Sequence, residues 1–195
     1  MLGRLDLPDA DVRLQPAWLT AADAAMAFAT LHRAIDWENH PVRLFGREHA
    51  APRLSRWFGD AGTAYRYSGI VREPSPWLPP LAALRERLSA ELDVEFNSVL
   101  ANLYRDGRDA MGWHADDEPE LGSDPVIASL SLGATRRFVV KHRDGTPRLA
   151  VELPAGSLLV MQGRTQANYR HALPRTARPV RPRINLTFRN VATRR

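Results

Sequence analysis

There is no cysteine in the 195 residues. That excludes disulfides, thiolate metal ligands and a cysteine nucleophile. No apolar run approaches the roughly 20 residues of a membrane-spanning helix, so no membrane association is expected. The N-terminus lacks the basic-then-apolar pattern of an export signal, and a cytoplasmic address is expected. Internal repeats, low-complexity tracts and Gly/Ser linkers are also missing, which at this length suits one domain with a real core. Lysine is almost absent: Lys141 is the only one among 27 basic side chains. The net charge is +5 and the isoelectric point about 10.3. A phosphate-bearing partner fits that balance through charge attraction and counterion release. Arginine adds bidentate phosphate contacts. Charge alone does not separate nucleic-acid binders from other basic proteins.

The most informative motif is His114-Ala115-Asp116, answered far downstream by His171. Two histidines and one carboxylate are the ligand set of a mononuclear non-haem iron oxygenase, which leaves iron positions open for substrate and oxygen. In extended chain, residues i and i+2 point to the same side, so His114 and Asp116 can grip one face of a metal. A solvent-exposed turn would produce the same pair without any metal.

The segment Arg183-Ile184-Asn185-Leu186-Thr187-Phe188-Arg189 alternates polar and apolar residues, the period of a half-buried strand. Ile184, Leu186 and Phe188 would face a core. Arg183, Asn185, Thr187 and Arg189 would share the other face. Two guanidinium groups, an amide and a hydroxyl there suit an anion with several acceptors; an ordinary sheet with a solvated basic face is the other reading. Residues 97–104 read as a strand ending at the turn signal Arg105-Asp106-Gly107. It places Asn102 and Tyr104 on one face, either as ligands of a small acidic cosubstrate or as an edge amide and a half-buried core tyrosine.

Along the chain, residues 1–19 read as irregular or short-strand lead-in. A helix is predicted from Thr20 to about Ala34, with Thr20 as cap and Asp23 at the third position. A second helix follows Pro74-Ser75-Pro76-Trp77-Leu78-Pro79-Pro80, with Leu81, Leu84, Leu88 and Leu92 as its core stripe. Strands are predicted at 126–132, 137–142, 149–153, 157–161 and 183–189, with a hairpin turn at Asp144-Gly145. Helices first and many short strands later predict a mainly β fold with flanking helices, a jelly roll.

Taken together, Asn102-x-Tyr104-x-x-Gly107, His114-x-Asp116, His171 and Arg183-x-x-x-x-x-Arg189 resemble, in order, the signature of the AlkB family of Fe(II)/2-oxoglutarate dioxygenases. The resemblance runs roughly from Phe45 to Val191. It includes Pro52-Arg53-Leu54, Tyr65-x-Tyr67-Ser68-Gly69, Asp116-Asp117-Glu118 and Ile127-Ala128-Ser129-Leu130-Ser131-Leu132-Gly133, and is greatest to the branch with the vertebrate nuclear DNA-repair members. It implies a double-stranded β-helix. One domain over 1–195 would divide into a helical, nucleotide-recognition part (about 1–95) and a catalytic jelly roll (about 96–191).

The resemblance also implies roles. His114, Asp116 and His171 would hold Fe(II). 2-Oxoglutarate would bind through Arg183 and Tyr104, with Asn102, Thr187 and Arg189 completing its pocket. With O2 the enzyme would demethylate 1-methyladenine and 3-methylcytosine in DNA, releasing formaldehyde and succinate. A base inside a duplex cannot reach a buried site, so the target must be single-stranded or flipped out. Tyr67 against His114 would sandwich it, with Tyr65 and Ser68 nearby, and Asp117 and Glu118 would attract the cationic methylated ring. Phe45 is a candidate apolar wedge for opening a duplex; a plain core phenylalanine is the alternative. The stretch before the last histidine, Gln166 to Tyr169, departs from the family pattern and is expected to alter substrate contacts. The basic tail Thr193-Arg194-Arg195 would reach phosphates or simply fray. Competing readings are an RNA demethylase or protein hydroxylase with the same iron chemistry, and a non-catalytic nucleic-acid binder. A monomer is expected.

Overall fold

The computed structural model describes residues 1–44, 47–63, 65–67 and 70–192, with the backbone alone described for 42–44, 47–48, 65–67 and 70–72. The strands, in chain order, are β1 (Gly3–Arg4), β2 (Asp11–Gln15), β3 (Pro41–Leu44), β4 (Arg47–Ala50), β5 (Leu54–Gly59), β6 (Tyr65–Tyr67), β7 (Ile70–Arg72), β8 (Ser98–Tyr104), β9 (Met111–His114), β10 (Ile127–Gly133), β11 (Arg136–His142), β12 (Arg148–Leu153), β13 (Leu158–Gln162), β14 (Tyr169–Leu173) and β15 (Arg183–Arg189). The helices are α1 (Ala21–Ala34), α2 (Pro79–Leu92) and the single turn α3 (Thr165–Asn168).

Seven strands form a large sheet in the order β1-β2-β13-β10-β15-β8-β5, and four form a small one in the order β12-β11-β14-β9. Every ladder is antiparallel. Two separate hairpins, β3–β4 and β6–β7, complete the set. This is the expected jelly roll braced by helices. Residues 1–19, which the sequence left nearly formless, hold β1 and β2, and β2 zips along the whole of β13. Together with β5 on β8, the first 95 residues supply three of the seven large-sheet strands. These strands have little periodicity of their own, and the partners of β2 and β5, β13 and β8, lie far along the chain.

Two apolar clusters hold the layers. On the outer face of the large sheet, Ile184, Leu186 and Phe188 join Leu130, Leu132 and Val99 beneath Leu31 of α1 and Leu81 and Leu88 of α2. Between the sheets, Ile127, Leu159 and Met161 meet Phe138, Val140 and Tyr169. Alternation along each strand sends side chains to these two layers in turn.

The helices begin where the sequence says. The Thr20 hydroxyl accepts the Asp23 N–H at 3.1 Å and donates to the Asp23 carboxylate at 2.7 Å, a reciprocal cap. Leu81 and Leu88 of α2 are wholly buried, while Leu84 and Leu92 pack on the same cluster from its margin. Gly133 lets α1 close on the end of β10. Its φ is +83°, and a Cβ there would lie 2.8 Å from the Phe28 ring and 2.5 Å from the Pro182 carbonyl oxygen. No other residue type fits that backbone and that gap.

Candidate metal centre and cosubstrate pocket

Register assembles the centre. In the β9–β14 ladder His114 stands directly opposite His171, so their Cβ atoms are cross-strand neighbours. Their rings meet edge to face at 4.2 Å between centroids. Asp116 lies beyond the end of β9, so the alternation argued from an extended chain stops at His114. It reaches the histidines by way of the loop. Its Oδ2 is 3.8 Å from His171 Nε2, and the ligand atoms of the three residues all lie within 4.8 Å of one another. One first-row metal ion fits such a set, with positions left for exchangeable ligands.

Hydrogen bonds orient His114 and Asp116, and burial tunes His171. His114 Nδ1 lies 2.8 Å from the Gly112 carbonyl oxygen; the carbonyl can only accept, so Nδ1 carries the proton and Nε2 is left for metal. Burial, joined by the neighbouring His114, pulls His171 down to about 3 from its ordinary 6.5. It is a neutral imidazole at physiological pH, the form that ligates. Burial pushes the Asp116 carboxyl up, but Arg189, His171 and His114 together outweigh it and hold the group below the usual carboxylate range. Arg189 Nη2 donates to Asp116 Oδ1 at 2.5 Å.

The cosubstrate pocket is the polar half of the space between the sheets. Arg183 pairs with Tyr104, Asn185 with Asn102 and Thr187 with Leu100 across β15–β8. On the other side of β15, Thr187 pairs with Ser129 and Asn185 with Ser131. The cavity lined by Leu100, Asn102, Tyr104, Ser129, Arg183, Asn185 and Thr187 also takes in His114, Asp116, His171 and Arg189. Arg183 is 2% exposed, which rules out a solvated basic face. Its Nη2 donates to Ser131 Oγ at 2.9 Å, but Nε and Nη1 are buried without a partner. Its guanidinium carbon sits 5.4 Å from the Tyr104 ring centroid. Burial pulls Arg183 down to about 10 while Tyr104 pushes it back, so it remains a cation at neutral pH. A buried cation with two free donors and no carboxylate partner among the described residues is costly. The carboxylate of a dicarboxylic acid answers that deficit.

The predicted residues are thus largely brought together. Asn102 is buried and accepts from Arg53 Nε at 3.0 Å, and the Thr187 hydroxyl meets Asn185 Oδ1 at 3.3 Å. Arg189 lines the cavity, yet its guanidinium is engaged with Asp116. Asp117 is half exposed and paired with Arg143 at 2.6 Å. Glu118 precedes a 3-10 turn at Pro119–Leu121. Tyr65 and Tyr67 belong to β6, whose backbone pairs with β7. Phe45, Ser68, Gly69 and the tail Thr193-Arg194-Arg195 fall outside the described residues. Two residues of the stretch expected to alter substrate contacts, Gln166 and Tyr169, are buried and do not line the cavity. Both are 1% exposed; Gln166 accepts the Asp116 N–H at 2.9 Å, and the Tyr169 hydroxyl donates to the Pro8 carbonyl at 2.6 Å.

Three contributors escaped the sequence. Arg53 braces Asn102. Arg136 is 3% exposed, donates to the Asp106, Asp109 and Pro174 carbonyl oxygens and lies 5.8 Å from the Tyr104 ring centroid. Gln166 holds the peptide of Asp116. The only signal for any of them was position: Arg53 in a family-like tripeptide, Gln166 five residues before His171.

A family model described as the 2OG-Fe(II) oxygenase superfamily matches residues 11–189. The chain is 41% identical over 190 residues to mouse alpha-ketoglutarate-dependent dioxygenase alkB homolog 3, covering 92% of this chain and 66% of that protein. It is 40% identical over 181 residues to mouse DNA oxidative demethylase ALKBH2, covering 87% of this chain and 76% of the relative. Human ALKBH2 is 39% identical, with 87% and 69% covered. The chain spans just under two thirds of the length of the alkB homolog 3 relatives, at 64 to 66%. A solved structure of OsALKBH1 superposes with a TM-score of 0.68 at 17% identity, covering 97% of this chain and all of that one, a likeness of fold. With the triad and the buried arginine in place, the chain belongs to the AlkB family of the 2OG-Fe(II) oxygenase superfamily.

Proposed function

We propose that this protein demethylates N-alkylated bases in DNA, 1-methyladenine and 3-methylcytosine, using Fe(II), 2-oxoglutarate and O2 and releasing formaldehyde and succinate. The observation that carries the reading is Arg183, a buried cation with two unpartnered donors in the same cavity as the His114–Asp116–His171 cluster. The donor set fits Fe(II): two imidazoles and one ionised carboxylate, with no thiolate in the chain. When bound, the iron and its 2-oxoacid supply the oxidising equivalent that hydroxylates the N-methyl carbon.

The chain's own residues do the rest. Arg183 and Tyr104 bind the far carboxylate of the cosubstrate. Asn102 and Thr187 shape the pocket between them. Phe138, Met161 and Leu173 give it apolar walls, which exclude water from the reacting atoms. Arg189 holds the Asp116 carboxylate in its ionised form. Tyr67 would stack on the extruded base against His114, a contact of the kind worth roughly 1–3 kcal/mol, with Tyr65 nearby, and Asp117 and Glu118 would favour a cationic methylated ring. The net positive charge supports a polyanionic substrate, and the names of the mouse and human ALKBH2 relatives support DNA.

The test is formaldehyde release from an oligonucleotide carrying 3-methylcytosine, with Fe(II), 2-oxoglutarate and O2, beside His171→Ala. Release by the wild type alone is expected. Release from methylated RNA but not DNA would move the reading to an RNA demethylase. Succinate formation without release from either polymer would point to a protein substrate.

A further inference from the structure

The two histidine ligands are placed by a ladder, because the β9–β14 register sets them directly opposite each other. Asp116 has no ladder. Its carboxylate is held by Arg189, and its backbone N–H by the side chain of Gln166. We propose that Gln166 is a positioning residue for the metal centre: its amide oxygen fixes the 115–116 peptide and so sets where the Asp116 carboxylate stands relative to His171.

The geometry is that of a built brace. Gln166 Oε1 accepts from Asp116 N at 2.9 Å, and Nε2 lies 3.6 Å from Sδ of Met161, which lines the cavity. The side chain is buried, so no water competes for the bond. Gln166 sits on α3, which leads directly into β14 and His171. The segment of the third ligand therefore holds the second.

That segment is itself pinned. The Thr165 hydroxyl donates to the Gln162 carbonyl at 2.6 Å and accepts the Asp11 N–H at 3.0 Å. Asn168 Nδ2 donates to the Asp9 carbonyl at 2.9 Å. Arg143 Nη2 bridges the Asp117 carboxylate and the Gln166 carbonyl, at 2.6 and 3.1 Å. Loop 115–117 is thus tied to α3 through both a backbone and a side chain. A neutral amide satisfies the Asp116 N–H without a second negative charge beside the carboxylate; an aliphatic side chain would leave that donor buried and unpaired.

The inference rests on the triad as the metal site and not on the methylated substrate, so its test uses no nucleic acid. Metal-free full chain is titrated with Co(II), and the visible d–d bands are followed for wild type, Gln166→Met and Asn168→Ala. The last removes an α3 tether but leaves the bond to Asp116. Loss of a partner outside the ligand shell typically weakens metal binding about 10–100-fold, and that loss with shifted bands is expected for Gln166→Met alone. Wild-type affinity and bands in Gln166→Met would overturn the proposal, as would an equal loss in Asn168→Ala, which would make the role merely structural. Should Gln166→Met fail to fold, Gln166→Glu takes its place: it keeps an acceptor but changes its strength. Shifted bands are then expected, and bands and affinity both identical to wild type overturn the proposal.

Discussion

Replacing Arg183 by Met should make the metal-free protein no less stable and its cosubstrate binding far weaker. The two effects have opposite signs because, on the proposed function, Arg183 serves a ligand and not the fold. Its Nη2 has one partner, Ser131 Oγ, while Nε and Nη1 have none. An unpaired buried cation is a penalty, and replacing buried charge by an apolar group of similar length is often neutral or stabilising by about 1–4 kcal/mol. Losing one side of a buried, hydrogen-bonded charge pair costs about 2–5 kcal/mol of binding. That is roughly 30- to 5,000-fold in affinity. The assay is thermal or denaturant unfolding of both proteins with Mn(II), with and without 2-oxoglutarate. At a ligand concentration of 100 Kd the wild type gains about 2.7 kcal/mol. A variant weakened 100-fold gains only about 0.4 kcal/mol at that concentration. A variant destabilised by several kcal/mol that still binds 2-oxoglutarate as tightly as wild type would refute the assignment.

Leu88→Ala should cost about 2–5 kcal/mol of stability, because Leu88 is wholly buried between α2 and the large sheet; a change under about 1 kcal/mol in a urea titration would contradict the packing. In chelated, metal-free protein, stability should fall on acidification. His171 binds its proton only near pH 3 when folded but at 6.5 in its ordinary state, so the unfolded chain takes up more protons and stability drains away as pH falls below 6.5. Asp116, held below its ordinary 3.8, adds loss in the same direction below that value. His171→Leu should flatten the slope between about pH 7 and pH 5, and an unchanged slope would count against the buried neutral imidazole. Phe45→Ala should reduce demethylation of duplex more than of single strands if Phe45 is the wedge; equal losses on both would place it in the core.

Much of the fold follows from local patterns. The period of β15 is carried by seven residues, and the structure keeps it without a slip: Ile184, Leu186 and Phe188 on one face, Arg183, Asn185, Thr187 and Arg189 on the other. The α1 cap is a three-residue interaction, and the α2 stripe repeats every turn, so both were legible. β2 and β5 were not, because their pairing energy comes from β13 and β8, and no local periodicity announces a partner so distant in sequence.

For the site, the sequence by itself determined the chemistry on offer: His114 and Asp116 with His171 as the best-placed third ligand, and two arginines on one strand face. Alternation says which side chains share a face, but not whether that face meets water. The small sheet, which pairs β14 with the more distant β9 and β11, decided that Arg183 is buried and therefore a cation in need of an anion. Tertiary structure also separated two arginines that look equivalent in one strand. Arg189 lies where the loop after β9 brings Asp116 to it; Arg183, six residues away at the other end of β15, meets a hydroxyl and a ring and, among the described residues, no carboxylate. The same long-range closure turned Gln166 inward. A buried N–H at Asp116, which no ladder serves, must find an acceptor, and α3 is the element that the fold brings within reach.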